Sequence, residues 1–91
     1  MKKSSRLTLT GGVQSMFFEQ FILENAKRFD VRGYMRKLED GRMEIFLEGD
    51  KSKVDEMAAI CKRGTQHTLI RKVEEKEERF QDFKDFKVVK I

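Results

Sequence analysis

The chain has 91 residues and a mass of 10.8 kDa, with 20 lysines and arginines against 16 aspartates and glutamates. This length allows one small domain, and one cysteine and one histidine are too few for a disulfide framework or a cysteine-rich zinc site. The chain has no run of 18 apolar residues, and no apolar segment follows its basic start. We therefore expect neither a membrane span nor a signal peptide, and a cytoplasmic location.

The net charge of +4 does not by itself indicate a nucleic-acid partner. Basic and acidic side chains alternate along the chain, for example over residues 74–79, and no block of one sign is interleaved with stacking aromatic residues. A solvated surface of mixed charge explains this composition, so nucleic-acid binding is not favoured.

The first half of the chain predicts a strand, a helix and a hairpin. Residues 6–10 alternate as in a strand that ends at Gly11-Gly12, and residues 1–5 are predicted to form a basic N-terminal tail. Residues 31–38 predict a second strand, and a turn with Gly41 at positive φ leads into a third strand from Met43. Between the first two strands, apolar residues at spacings of three and four predict an amphipathic helix over 16–29; they are Phe18, Phe21, Ile22, Ala26 and Phe29.

The second half predicts one more helix and two more strands. Asp50 is a suitable N-cap for a helix that Gly64 ends and whose apolar stripe is Val54, Met57, Ala58 and Cys61. Residues 68–76 and 83–91 predict strands around a charged turn. This order predicts an α+β fold, a ferredoxin-like βαββαβ sandwich. We expect an antiparallel sheet of four to five strands with two helices packed on one face, in a single domain over residues 6–91.

The junction between the first strand and the first helix is the candidate site. Its glycines allow a tight turn, and the free N–H groups at the start of the helix would point toward the loop, an arrangement that binds phosphoryl groups and other anions. A glycine pair between a strand and a helix is more often only a turn, so this pattern alone leaves both interpretations open.

Three stretches between about residues 6 and 90 resemble the acylphosphatase family. Gly11-x-Val13-Gln14-x-x-x-Phe18 is similar to the family's Gly-x-Val-Gln-Gly-Val-x-Phe-Arg signature. Residues 33–36, 40–45 and 48–50 resemble its Gly-aromatic-Val-x-Asn, Asp-Gly-x-Val-x-Val and Glu-Gly block. Phe80, Phe83 and Phe86 before Val88 are similar to its closing aromatic strand. The fold of that family is the ferredoxin-like sandwich that the element order predicts.

The resemblance implies hydrolysis of the carboxyl–phosphate bond of acylphosphates without metal or cofactor. In that family, N–H groups of the loop and one arginine hold the phosphoryl oxygens, and one asparagine orients the attacking water. The resemblance implies phosphate, sulfate or an acylphosphate as the ligand of the loop, and we expect a monomer. The corresponding phosphate loop would consist of Gly12, Val13, Gln14, Ser15, Met16, Phe17 and Phe18.

Both catalytic positions of the family are substituted, its arginine by Glu19 and its asparagine by Lys37. Two unit charges ~4 Å apart interact by ~4 kcal/mol at an effective dielectric of ~20, so replacing arginine by glutamate changes this energy by up to roughly 8 kcal/mol per phosphate charge before screening. A lysine cannot replace the asparagine, because its ammonium group accepts no hydrogen bond from water. Ser15 replaces the second glycine of the loop, and a positive φ there would cost about 1–2 kcal/mol.

These substitutions leave three functions open. The first is an acylphosphatase-like protein that has lost efficient hydrolysis, and the second is an active acylphosphatase that uses Lys37 and the loop N–H groups. The third is a small ferredoxin-like interaction module that uses a basic patch or a sheet edge. We expect Glu19 and Lys37 to form a salt bridge across the old active site; the alternative is that both are solvated. Cys61 is expected to be a buried, inert thiol and His67 a turn residue.

Overall fold

The predicted elements follow one another in the expected order in a computed structural model, which describes residues 1–66 and 68–89. The prediction for His67 and the end of the last strand at residues 90–91 lie outside the described residues. The elements are β1 (Lys2–Gly11), α1 (Met16–Arg28), β2 (Arg32–Lys37), β3 (Met43–Asp50), α2 (Lys51–Arg63), β4 (Ile70–Glu77) and β5 (Phe86–Val89).

The five strands form one sheet in the order β4-β1-β3-β2-β5. Every neighbouring pair is antiparallel except β2 and β5, which run parallel with Gly33 opposite Phe86. The expectation of an antiparallel sheet is therefore wrong for this edge, and the sheet is mixed. The reason is the connection after β4: residues 78–85 cross the sheet to the opposite edge, so β5 enters beside β2 in the same direction.

The first strand begins at Lys2, four residues before its predicted start at Arg6. Ser4 and Ser5 are buried in the sheet, where the Ser4 hydroxyl donates to Glu48 at 2.9 Å and the Ser5 hydroxyl donates to Glu75 at 3.1 Å. The predicted tail is thus largely part of β1. Hydrogen bonds rather than apolar side chains hold this end of the strand, so hydrophobic alternation did not reveal it.

The main core lies between the two helices and one face of the sheet. The apolar stripes predicted for both helices are confirmed, and Cys61 is fully buried among them. Among the described residues, neither helix is long and apolar enough to span a bilayer. The core consists of Leu7, Leu9, Val13, Phe18, Ile22, Ala26, Val31, Met35, Met43, Ile45, Leu47, Val54, Met57, Ala58 and Cys61.

Gly64 and Asp50 were predicted to cap the two ends of α2. Gly64 ends the helix at φ 69°, and its N–H donates to the Ile60 carbonyl at 2.9 Å. Asp50 occupies the N-cap position, but its side chain makes no capping bond to the helix backbone. It instead accepts a hydrogen bond from the Ser52 hydroxyl at 2.7 Å, so the predicted N-cap position of Asp50 is confirmed while its side chain does not bind the helix backbone.

A second, smaller cluster covers part of the opposite face of the sheet. The Phe46 ring is stacked on Tyr34 at 5.6 Å, and Phe83 packs edge-on against both rings. Phe83 is therefore part of the crossing segment, and β5 begins only at Phe86 rather than at the predicted residue 83. The buried Glu48 carboxylate fixes this segment, because it accepts hydrogen bonds from the backbone N–H groups of Gln81 and Phe83.

Candidate functional site

The loop between β1 and α1 starts at a point of close backbone approach. Gly11 has φ 142°, and a Cβ atom there would lie 2.0 Å from the Leu69 carbonyl oxygen, so only glycine fits. The N–H of Gly12 donates to the same carbonyl at 2.9 Å. These contacts fix the first residues of the loop against the segment that leads into β4.

Gln14 connects the loop to the hairpin of β2 and β3. Its side-chain amide donates to the carbonyl oxygens of Leu38 and Arg42, each at 3.0 Å. These two carbonyls lie on either side of the hairpin turn, and Lys37 immediately precedes Leu38. Gln14 therefore brings the predicted loop and the end of β2 together. Sequence reasoning placed Gln14 in the loop but gave it no such contact, because the partners are backbone atoms distant in sequence.

Ser15 adopts an extended backbone conformation, with φ −99° and ψ 154°. The expected strain at a positive φ is therefore wrong, since the chain enters α1 through an extended residue that any amino acid can supply. Ser15 is the N-cap of α1, and its hydroxyl accepts a hydrogen bond from the Phe18 N–H at 3.1 Å. A serine immediately before an apolar helical stripe is a known N-cap signal and would have predicted this contact.

Glu19 and Lys37 form the predicted ion pair. The Lys37 Nζ lies 3.7 Å from Glu19 Oε2, which joins the first turn of α1 to the last residue of β2. The Glu19 side chain is 14% exposed and that of Lys37 is 43% exposed, so the carboxylate is largely enclosed while the ammonium group still contacts solvent. The alternative that both groups are solvated and separate is not what the structure contains.

Most backbone N–H groups of the loop have no hydrogen-bond partner among the described residues. The N–H of Gly12 and that of Phe18 are engaged as described, whereas those of residues 13–17 donate to no residue that the structure describes. Val13 and Phe18 are buried and anchor the loop in the core, while Met16 and Phe17 are 75% and 81% exposed. Gly11 to Ser15, together with Gly41 of the hairpin, line an open depression. The arrangement can present several N–H groups to an anion at the start of a helix.

The other residues considered from sequence do not contribute to this loop. Burial raises the pKa of the Cys61 thiol to about 12, which makes it an inert core residue as expected. Lys62 in the last turn of α2 forms an ion pair with Glu75 of β4. Within residues 1–66 and 68–89, no group of three or more histidine, cysteine, aspartate or glutamate side chains is placed to hold a metal ion.

The fold and the loop together define a small α+β domain of the ferredoxin-like class with a strand–loop–helix site at one end of its sheet. The acylphosphatase family model matches residues 5–88, so this chain belongs to the acylphosphatase family.

Individual relatives agree with this assignment. An acylphosphatase from Rubrobacter xylanophilus is 40% identical over 72 residues, which are 79% of this chain and 66% of that protein. An acylphosphatase from Caldanaerobacter subterraneus subsp. tengcongensis is 32% identical over 76 residues, 84% of each chain. The crystal structure of acylphosphatase from Bacillus subtilis matches with a TM-score of 0.88 at 24% identity and covers 99% of this chain and all of that one, which supports the fold.

Proposed function

We propose that this chain is an acylphosphatase-like pseudoenzyme, which hydrolyses acylphosphates very weakly or not at all. The observation that carries the proposal is the ion pair between Glu19 and Lys37 beside the loop. These two residues occupy the positions where the family signature has an arginine and an asparagine. An acylphosphatase-like function is consistent with the family assignment, and the loss of efficient hydrolysis is argued from these two side chains.

The net charge of the Glu19–Lys37 pair disfavours binding of a negatively charged phosphoryl group. Catalysis of this kind depends on positive charge and N–H donors placed where the phosphoryl oxygens lie. An arginine and an asparagine together carry a charge of +1, whereas Glu19 and Lys37 sum to zero. The exchange of arginine for glutamate changes the interaction with each phosphate charge by up to roughly 8 kcal/mol, and even a quarter of this energy lowers a rate more than tenfold.

Lys37 also cannot replace the family's asparagine in positioning the attacking water. An asparagine side chain offers a carbonyl oxygen that can accept a hydrogen bond from the nucleophilic water, while the ammonium group of Lys37 can only donate. Lys37 is in addition directed toward the carboxylate of Glu19 at 3.7 Å. Positioning of the nucleophile is a large part of catalysis that involves no covalent intermediate, so its loss adds to the electrostatic effect.

A second candidate is an active acylphosphatase, which converts an acylphosphate and water into a carboxylate and phosphate with the help of Lys37. Two observations favour it: the Lys37 side chain is 43% exposed, and the N–H groups of residues 13–17 have no partner among the described residues. Lys37 could then turn from Glu19 to a phosphoryl oxygen while the loop donors hold the others.

One assay separates the two candidates. Hydrolysis of benzoyl phosphate is measured for the native chain and for the double variant Glu19→Arg, Lys37→Asn. A matched control, Glu24→Arg with Lys27→Asn, makes the same two exchanges at exposed positions of α1. We expect the native chain and the control to remain close to the uncatalysed rate and the double variant to gain at least tenfold. A native kcat of about 1 s⁻¹ or more would overturn the proposal and support the second candidate.

A further inference from the structure

We propose that the Ser15 hydroxyl is an internal ligand of the loop, which competes with an external anion for the N–H of Phe18. In this view Ser15 determines how tightly the loop binds phosphate, independently of the charge exchange at Glu19 and Lys37. The inference rests on the proposed function in that it concerns the same loop, but it predicts binding rather than hydrolysis.

The contact is well placed for such competition. Ser15 Oγ accepts the Phe18 N–H at 3.1 Å, and the Phe18 ring is fully buried in the core. Phe18 lies in the first turn of α1, and the helical backbone fixes the direction of its N–H toward the loop. An anion that is to use the Phe18 N–H must first displace the hydroxyl oxygen.

The backbone N–H groups next to Phe18 are not occupied by a side chain, so a change at Ser15 affects one donor of the loop. The N–H groups of residues 13–17 donate to no described residue, so the Phe18 donor is the one at the start of α1 that a side chain of the loop already occupies. Ser15 has an extended backbone, which means that glycine, alanine or threonine can replace it without strain. Substitutions at this position therefore change the hydroxyl and leave the path of the loop intact.

The expected change in phosphate affinity follows from the energy of the hydrogen bond between Ser15 Oγ and the Phe18 N–H. A hydrogen bond from an N–H to an anion is stronger than one to a neutral hydroxyl, and it is available only when the hydroxyl is absent or displaced. Without the hydroxyl, an incoming anion no longer has to break the bond between Ser15 Oγ and the Phe18 N–H, so we expect inorganic phosphate to bind about tenfold more tightly, which is the upper end of the range for one neutral hydrogen bond.

The experiment is a titration of the ¹⁵N-labelled full chain with inorganic phosphate, at constant ionic strength, followed by NMR amide shifts. The native chain is compared with Ser15→Ala, Ser15→Gly and Ser15→Thr. Ser52→Ala is the control, because Ser52 also lies in the first turn of a helix but hydrogen-bonds Asp50 far from the loop. The alanine and glycine variants should bind about tenfold more tightly than the native chain, with the Phe18 amide among those that shift. The threonine variant and the control should match the native chain.

Two results would overturn the inference. In one, the alanine and glycine variants fold normally and bind phosphate no more tightly than the native chain. In the other, the threonine variant, which keeps the hydroxyl, binds as tightly as alanine. Neither result depends on turnover, so the inference can fail while the native chain remains inactive. Equally, a native chain that hydrolyses benzoyl phosphate efficiently would overturn the proposed function without altering the expected order of phosphate affinities.

Discussion

Glu19 and Lys37 lie on different elements, and they meet because the loop is joined to the hairpin. Gln14 makes that connection through the carbonyl oxygens of Leu38 and Arg42. The ion pair spans 3.7 Å, and one of its members is largely enclosed. At the scale of residues, the site thus differs from the family signature in its charge and in the occupation of one N–H donor, while the backbone that carries the donors is present.

Ser15 gives a prediction for stability that is separate from binding. Its hydroxyl caps α1, so Ser15→Ala should lower the free energy of unfolding by about 1 kcal/mol and Ser15→Gly by only a few tenths. Urea denaturation of both variants beside the native chain measures this difference. Equal and negligible losses in both variants would show that the hydroxyl does not stabilise the helix.

Cys61 gives a prediction for reactivity. Its thiol is fully buried and has a pKa of about 12, so the reactive thiolate is scarce and inaccessible in the folded chain. A disulfide reagent such as dithionitrobenzoate should label the native protein at least tenfold more slowly than the protein in denaturant. Similar rates in the two conditions would contradict the assignment of Cys61 as an inert core residue.

At the scale of elements, the Glu48 carboxylate is one of the groups that hold the crossing segment 78–85 over the sheet, beside the Phe83 ring and backbone hydrogen bonds at both ends of the segment. Glu48 accepts hydrogen bonds from the Ser4 hydroxyl and from the N–H groups of Gln81 and Phe83. Glu48→Ala would leave the buried Ser4 hydroxyl and two partly buried N–H groups without an acceptor and should cost about 3 kcal/mol, since each unsatisfied buried group costs ~1–3 kcal/mol. Thermal and urea denaturation measure the loss. The exposed Glu56→Ala on α2 is the control, and the role of Glu48 is contradicted if both variants lose equally little.

The helices and the candidate site could be predicted from sequence more fully than the strands. The apolar stripe from Phe18 to Ala26 has one interpretation, because only a helix brings such spacings to one face. The start of β1 was missed because Ser4 and Ser5 are buried through hydrogen bonds to glutamates, which no hydrophobic pattern reveals. Phe83 was assigned to the last strand because it precedes Phe86 and Val88, and the sequence does not show that its ring packs against Phe46 on the opposite face of the sheet.

The same limits apply to the site. Motif positions identified Glu19 and Lys37, and the fold brings them together as expected. The backbone angle of Ser15 could not be obtained from a family motif with glycine there, because glycine adopts both signs of φ while serine selects the extended region. A serine directly before a helix is itself an N-cap signal. It was overlooked because Ser15 was compared with the glycine that the family has at this position.

At the scale of the whole molecule, ion pairs between elements make stability depend on pH. Asp55 of α2 accepts hydrogen bonds from Lys3 of β1 and from Lys51, and these bonds lower the pKa of Asp55 to about 2. Because the folded pKa lies below the usual value of 3.8, the contribution of Asp55 is complete above about pH 4 and is lost as the pH falls through 2. Asp55→Asn removes it at every pH.

Urea midpoints at pH 5, 3 and 2 test this dependence. The native chain should be more stable than the Asp55→Asn variant at pH 5, and the two should converge at pH 2. Asp85→Asn is a charge-matched control at an exposed position outside the helices. A difference between native and Asp55→Asn that stays constant from pH 5 to pH 2 would contradict the low pKa of Asp55.

On this family fold, the ion pair between Glu19 and Lys37 should prevent efficient hydrolysis. The most direct test is kcat/KM for benzoyl phosphate, measured for the native chain and for the Glu19→Arg, Lys37→Asn variant under the same conditions. We expect a kcat/KM for the variant at least tenfold above that of the native chain, which itself stays close to the background rate. Efficient turnover by the native chain, reduced rather than raised in the variant, would contradict this expectation.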